Sequence, residues 1–289
     1  SQEAVFEATT LPLVRDLLYR QRDGLLFAYG VTNSGKSHTI NGTPSNPGLL
    51  PRALKSGEEA AAESNTLNVD EYEYGLFLSY TEVYNNRICD LLDVGQIRGG
   101  VNNDDHYLEG VTEVRVRTLD DALAVLEAGQ RNRAVYATIL NTDSSRSHAL
   151  LTIKLVRLRR GVKLESGKRS QEYSGLYNVN HLTIVDLAGS ERADKSHATG
   201  IRLHEAGKIN QSLLELGSVL QAIRFNQMEA DKSRNVLIPF RNSVLTTLFK
   251  APLTAGRASV VMFVTVNPYD SSKAETRKVL EFASVASSV

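Results

Sequence analysis

Gly30-Val31-Thr32-Asn33-Ser34-Gly35-Lys36-Ser37 follows directly on the apolar run Leu25-Leu26-Phe27-Ala28-Tyr29, and the reading of this junction decides the fold. The glycines and the terminal Lys-Ser pair match the pattern of a phosphate-binding loop, and they stand where that loop must stand, straight after a buried strand. The glycines let backbone N–H groups turn inward on phosphates, Lys36 brings a point charge to the β and γ groups, and the Ser37 hydroxyl can ligate magnesium. The alternative is a flexible glycine turn, but four fixed positions of this kind match by chance in roughly one per cent of chains this long. Gly30, Val31, Thr32, Asn33, Ser34, Gly35, Lys36 and Ser37 are therefore the candidate nucleotide-binding residues.

Working outward, Val5, Thr9, Leu13 and Leu17 recur at helical spacing before Gly24 opens the buried run. Strands are expected over 75–84 and 111–116, an amphipathic helix over 119–128, and strands over 150–158 and 181–187. A long helix over 203–225 carries Leu213, Leu216, Leu220 and Ile223 on one face, followed by a helix over 242–250, a strand over 259–266 and a helix over 273–286. Alternation of this kind predicts a mixed α/β domain. The polar stretches 55–70, 94–105 and 159–178 are expected to be surface connections.

Two further segments suit a sensor of the third phosphate. Asp186-Leu187-Ala188-Gly189-Ser190-Glu191 follows the run His181-Leu182-Thr183-Ile184-Val185, so Asp186 falls at a strand end, where it can hold magnesium through water. Gly189 can bring its N–H to the γ-phosphate with no side chain in the way. Taken alone, an Asp before a glycine turn is often only a loop starter. Asn141-Thr142-Asp143-Ser144-Ser145-Arg146-Ser147-His148 sets hydroxyls around one arginine immediately before a strand. Read alone it would be a hydrogen-bonded polar turn.

Composition narrows the classes. The 289 residues are 42% hydrophobic, enough to bury a substantial core, and one domain is expected over 1–289. Lys plus Arg and Asp plus Glu both number 33, so no net field drives the chain onto nucleic acid or acidic lipid, and an acidic partner must meet a local basic patch. The single cysteine, Cys89, excludes an internal disulfide framework and reads as a buried thiol in a reducing setting. No apolar run approaches the roughly 20 residues that span a bilayer, and Ser1-Gln2-Glu3 does not open a signal peptide. Neither a membrane nor a nucleic-acid partner is expected.

Taken together and in order, the blocks 27–39, 141–148 and 186–192 resemble the signature of the kinesin motor family. Tyr80-Thr81-Glu82-Val83-Tyr84-Asn85 with Asp90-Leu91-Leu92, Glu205-Ala206-Gly207-Lys208-Ile209-Asn210-Gln211-Ser212-Leu213, and Ile238-Pro239-Phe240-Arg241 resemble its other blocks, so the likeness covers nearly the whole chain. Val31-Thr32-Asn33, Asn210-Gln211-Ser212 and Pro239-Phe240-Arg241 are most similar to the mitotic-kinesin-like, kinesin-6 subfamily of the central spindle and cytokinesis. The resemblance implies a P-loop NTPase fold with a central, mostly parallel twisted sheet and helices on both faces. It implies ATP and Mg2+ as cofactors, Ser145 and Asp186 joining Ser37 at the metal, and Asn141 and Ser144 lining the nucleotide. It further implies catalytic roles for Gly189 and for a latch between Arg146 and Glu191, which would align the attacking water.

The same resemblance implies a microtubule partner met by Lys195, Arg202, Lys208, Arg241 and Lys250, plus-end movement, homodimerisation through regions outside this chain, and a place in the cytoplasm, cytoskeleton and spindle. Two departures stand out. Many kinesins carry charged residues where this chain has Asn242, Val244 and Thr247, and the Arg-x-Arg-Pro segment that lies under the adenine has no counterpart, leaving Tyr29 and His38 as candidates for the base. The chain reads as a motor core trimmed at its N-terminus and before the neck linker. Of two rival classes, a small GTPase is disfavoured because no Asn/Thr-Lys-x-Asp guanine motif is present. The other rival, a kinesin-like microtubule-binding module without productive hydrolysis, is opposed by intact Lys36, Ser37, Asp186 and Glu191.

Overall fold

The computed structural model describes residues 1–62, 71–93, 97–98, 110–139, 146–161, 177–191, 201–254, 256–269 and 273–289, without the side chains of 58–62, 97–98, 138–139, 201–210 and 232. Helix α1 (Gln2–Tyr19) starts where the Ser1 hydroxyl accepts the Ala4 N–H at 3.2 Å. It leads into β1 (Gly24–Tyr29), whose six residues are all buried. A strand covered on both faces needs no alternation of polarity, and β1 has none. Leu26 and Ala28 face one core with α1, while Leu25, Phe27 and Tyr29 face the other.

The chain continues through α2 (Lys36–Asn41), the small hairpin of β2 (Gly42–Thr43) and β3 (Asn46–Pro47), and α3 (Leu49–Ala62). Next come β4 (Tyr72–Tyr84), β5 (Arg87–Asp90), β6 (Ile97–Arg98), β7 (Val114–Val116) and α4 (Leu119–Ile139). Strands β8 (His148–Arg159) and β9 (Tyr177–Asp186), helices α5 (Ile201–Met228) and α6 (Val244–Thr254), strand β10 (Ser259–Val264) and α7 (Lys273–Ala286) complete the order. Among the described residues no helix is long and apolar enough to cross a membrane.

Eight described strands form one sheet in the order β10-β1-β9-β8-β4-β5-β6, with β7 also on β4. Only the β10, β1 and β9 pairings are parallel; β9 with β8, β8 with β4, β4 with β5 and β7, and β5 with β6 are antiparallel. The expectation of a mostly parallel sheet is therefore corrected: the sheet is mixed and mostly antiparallel. Antiparallel neighbours can be joined by tight turns, whereas parallel ones need a crossover of a dozen or more residues. The β4 to β5 connection shows this directly. It is the pair Asn85-Asn86, both in the left-handed region at φ 52° and 60°, a conformation Asn tolerates and two-residue hairpins require.

Helices α1, α3 and α4 cover one face of the sheet and α5, α6 and α7 the other, giving two apolar cores. Most boundaries shift by a few residues from the sequence reading, and two differ by more. Residues 55–62, expected in a surface connection, continue α3 as helix. Helix α4 begins at Leu119 as expected, where Thr118 and Asp121 cap each other reciprocally, but it runs past Ala128 to Ile139. Gly129 is tolerated in mid-helix because the Tyr80 ring lies against it and leaves no room for a Cβ. Cys89 is buried at 6% exposure, and burial pushes its thiol pKa up. Of the other two expected connections, residues 94–96, 99–105 and 162–176 lie outside the described residues.

Candidate functional site

The site forms at the carboxyl ends of β1 and β9, which lie side by side with Ala28 opposite Asp186. In α/β sheets this is where loops from neighbouring strands converge on a ligand. After β1 the loop 30–35 turns into α2, with Asn33 at φ 62° and Gly35 at φ 103°, both conformations that side chains beyond Asn and Gly seldom adopt. Gly30 lies so close to Thr265, after β10, that a Cβ there would collide with it. Ser34 anchors the loop, its hydroxyl donating to the Val31 carbonyl at 2.6 Å and lying 2.6 Å from the Thr265 hydroxyl.

Lys36 is buried, with its ammonium donating to the carbonyls of Gly30 at 2.8 Å and Val31 at 2.9 Å. Burial lowers its pKa, while Asp186 and Glu191 oppose that shift. The Ser37 hydroxyl donates to Asp186 Oδ2 at 2.5 Å. Among the described residues, Asp186 Oδ1 is buried and makes no hydrogen bond. A hydroxyl and a carboxylate with an unsatisfied oxygen form the hard-oxygen set that magnesium takes alongside phosphate and water, so these residues fit that ion.

The segment after β9 closes onto the loop. Ser190 N–H donates to the Gly30 carbonyl at 3.1 Å, and Glu191 accepts from the Thr32 N–H at 2.7 Å and from the Thr32 hydroxyl. Gly189 is buried beneath this contact, and a Cβ on it would run into the Thr32 hydroxyl and the Glu191 carboxylate. Thus Gly30, Thr32, Lys36, Ser37, Asp186, Gly189 and Glu191 come together, with Asn33, Ser34 and Gly35 in the same loop. Val31 turns its side chain into the core, and His38 is exposed on α2. Tyr29 is only 8% exposed and stacks on Phe282 of α7, with centroids 4.1 Å apart, so its ring faces the core. Arg146 lies just before β8, half-buried, and among the described residues no ion pair joins it to Glu191. Asn141, Ser144 and Ser145 lie outside the described residues.

Sequence reasoning missed the groups behind the site. Arg133 of α4 reaches Asp186 Oδ2 at 3.5 Å and donates from Nε to Glu82 Oε1 at 3.1 Å, while the Ser147 hydroxyl donates to the same Glu82 oxygen at 2.5 Å. Burial works against the charged Arg133, but Asp186, Tyr80 and Glu82 outweigh it and its pKa is raised. A buried acid at position 82, among the apolar residues of β4, was a readable hint that a buried cation must answer it. Nothing local marked Arg133, which lies beyond the expected end of its helix.

Of the residues expected to face a partner, Arg241 is exposed beside the start of α6, and Lys250 is half-buried on α6. Lys195 lies outside the described residues, as do the side chains of Arg202 and Lys208 on α5. The three residues that replace charged ones are tied into the fold: Asn242 donates to Glu215 of α5 at 2.6 Å, Val244 N–H to Asn86 at 2.7 Å, and the Thr247 hydroxyl to the Phe240 carbonyl at 2.9 Å.

The family model described as the kinesin motor domain matches residues 1–289. Among curated proteins, the chain is 33% identical to the kinesin-like protein KIF23 of Mus musculus, over all of this chain and 37% of the relative. It is 38% identical to the kinesin-like protein KIF13B of Homo sapiens, over 98% of this chain and 15% of the relative. The chain thus spans well under half the length of these relatives. A solved KIF14 dimer, two heads bound with AMP-PNP on a microtubule, is 34% identical with a TM-score of 0.81, covering 100% of this chain and 77% of that one. A structure described as "kinesin 6" is 31% identical with a TM-score of 0.76, covering 97% of this chain and 85% of that one.

Proposed function

The chain belongs to the kinesin motor family, an ATP-hydrolysing family whose cofactors are ATP and Mg2+, and on that premise we propose that it couples ATP hydrolysis to movement along microtubules. The observation that carries this reading is the contact between the phosphate loop and the segment after β9, where Glu191 is docked on Thr32 above Gly189. A loop that reads the third phosphate is thereby joined to the one that holds the nucleotide, and the same segment leads on toward α5.

In this mechanism Gly30 through Ser37 cradle the phosphates with backbone N–H groups, and Lys36 exchanges its carbonyl partners for β and γ oxygens. Ser37 and Asp186, joined by Ser145, would hold magnesium, which when bound would supply positive charge to the phosphates beside that of Lys36. Gly189 N–H senses the γ-phosphate, Asn141 and Ser144 line the nucleotide, and His38 is the remaining candidate near the base. Glu191 leaves Thr32 to pair with Arg146 in the closed state, and that pair orients the attacking water. Loss of the γ-phosphate lets Gly189 relax, and the shift passes to α5.

Residues 1–289 act as one motor domain in this reading. Lys195, Arg202, Lys208, Arg241 and Lys250 face the acidic microtubule. The protein works as a plus-end-directed homodimer, paired through regions outside this chain, in the cytoplasm, on the cytoskeleton and at the spindle. Likeness to the "kinesin 6" structure, together with the subfamily resemblance of residues 31–33, 210–212 and 239–241, supports a mitotic and cytokinetic role. The test is ATP turnover with and without microtubules. A motor shows stimulation that saturates with microtubule concentration, and a module that only binds shows none.

A further inference from the structure

His148 opens β8, is 3% exposed, and uses both ring nitrogens. Its Nδ1 accepts the Ala188 N–H at 3.0 Å, and its Nε2 lies 2.8 Å from the Ser212 hydroxyl. A backbone N–H can only donate, so Nδ1 carries no proton, and the ring proton sits on Nε2 and is donated to Ser212. The tautomer is fixed by its partners. Burial, with Arg133 and Lys36 nearby, pushes the pKa down to about 3, so the ring stays neutral.

The two partners belong to different parts of the machine. Ala188 stands between Asp186 and Gly189, in the segment proposed to sense the third phosphate. Ser212 is on α5, whose Leu213 and Leu216 pack beneath the sheet. His148 itself is held in the middle of the sheet, opposite Val83 of β4 and adjacent to the Ala149–Asp186 pairing. An aromatic ring cannot stretch, so a shift of Ala188 either carries Ser212 with it or breaks one of the two hydrogen bonds. The bridge borders a cleft of about 240 Å³ between the Asn85-Asn86 turn, Gln211 and Asn242-Ser243.

We propose that His148 is a positioning residue that couples the phosphate-sensing segment to α5 through the Ala188–His148–Ser212 bridge, so that the nucleotide state sets the placement of that helix. This rests on the motor reading above. It adds a direct route to α5 that does not follow the chain through residues 192–200.

The test uses Ser212→Ala, which removes the acceptor on α5 and leaves His148 and the nucleotide-binding residues in place, with Ser212→Thr as the variant that keeps the hydroxyl. Basal ATP turnover of Ser212→Ala stays at the level of the parent chain, and its cooperative thermal unfolding moves down by only a few degrees, because the buried His148 N–H loses its acceptor. The ratio between microtubule affinities measured with a non-hydrolysable ATP analogue and with ADP falls at least about fivefold, the lower end of ordinary coupling between sites. Hydrogen exchange of α5 amides is expected to differ between those two nucleotides in the parent chain without microtubules, to become the same in both in Ser212→Ala, and to differ again in Ser212→Thr; a parent chain with no such difference also overturns the proposal. His148→Gln, which can still donate to Ser212 but cannot hold Ala188 from the same ring position, shows the same loss. Unchanged nucleotide dependence in Ser212→Ala overturns the proposal. So does equal weakening in both nucleotide states, since that marks a merely structural contact. A parent chain with no microtubule binding would overturn the motor reading and this proposal together; a parent chain that binds and is stimulated, beside a Ser212→Ala chain with full nucleotide dependence, overturns only the bridge.

Discussion

Glu191 holds Thr32 with both carboxylate oxygens, one on the backbone N–H at 2.7 Å and one on the hydroxyl, across 159 positions of sequence. The acid proposed to orient water is thus docked on the phosphate loop, and leaving it means exchanging two charge-assisted hydrogen bonds. Each such bond is worth about 1.5–3 kcal/mol. Movement of Glu191 is therefore a switch between two satisfied positions, the second being the proposed pair with Arg146.

Glu191→Ala is expected to bind ATP but to lose turnover by about a hundredfold or more, the usual scale for a positioned acid–base group. Fluorescent-nucleotide binding and phosphate release measure the two separately. Near-normal phosphate release in this variant removes Glu191 from the mechanism.

Gly189→Ala puts a methyl group where the Thr32 hydroxyl and the Glu191 carboxylate already lie. Neither neighbour is free to move without giving up its bond to the other. The expected outcome is a larger loss in kcat than in nucleotide affinity, read from steady-state kinetics. A variant that loses only affinity would place Gly189 in binding alone.

Arg133→Met leaves the Glu82 and Asp186 carboxylates buried without their shared cation. Breaking a buried pair in this way costs about 3–5 kcal/mol. Urea unfolding should show the loss, and adding Glu82→Gln to Arg133→Met should recover part of it. Equal stability of the single variant and the parent would show that water already screens the cluster.

His148 gives a pH signature with a definite sign. Its pKa is about 3 in the folded chain against 6.5 for an ordinary histidine, so between those values the unfolded chain binds the extra proton. The contribution is complete above pH 6.5 and is lost as pH falls toward 3, at up to about 1.4 kcal/mol per pH unit. Denaturation of His148→Gln between pH 6.5 and 4.5 should show a shallower pH dependence than the parent chain. Equal slopes would show that the ring is not held neutral.

An electrostatic dock predicts that microtubule affinity falls as salt rises, because exposed charges are screened within about 8 Å at physiological ionic strength. Arg241→Ala, at an exposed site beside α6, should reduce the steepness of that dependence. Affinity independent of salt would point instead to apolar contact through exposed residues such as Leu214, Phe225 and Met228 of α5.

The parts of the site that were legible in the sequence are those specified by consecutive residues. The loop 30–37 needs glycines at fixed places in a short turn, and Asp186 with Gly189 follows a recognisable buried strand. Helix α7 fell on residues 273–286 as expected because its period and boundaries are local. The Asn85-Asn86 turn was also written plainly, since two consecutive asparagines between strands are a hairpin signal, and reading it would have paired β4 with β5 antiparallel.

By itself, then, the sequence determined the phosphate loop, the strands that flank it, the apolar faces of the helices and the family to which the chain belongs. Each of these is set by short-range stereochemistry or by periodicity along a single element. Only the tertiary structure decided that the sheet is mostly antiparallel, that Arg133 answers Glu82 and Asp186, that Glu191 rests on Thr32, and that His148 joins Ala188 to Ser212. These contacts depend on which strands become neighbours and in what register, and a local pattern carries no information about a partner 40, 53 or 159 residues away.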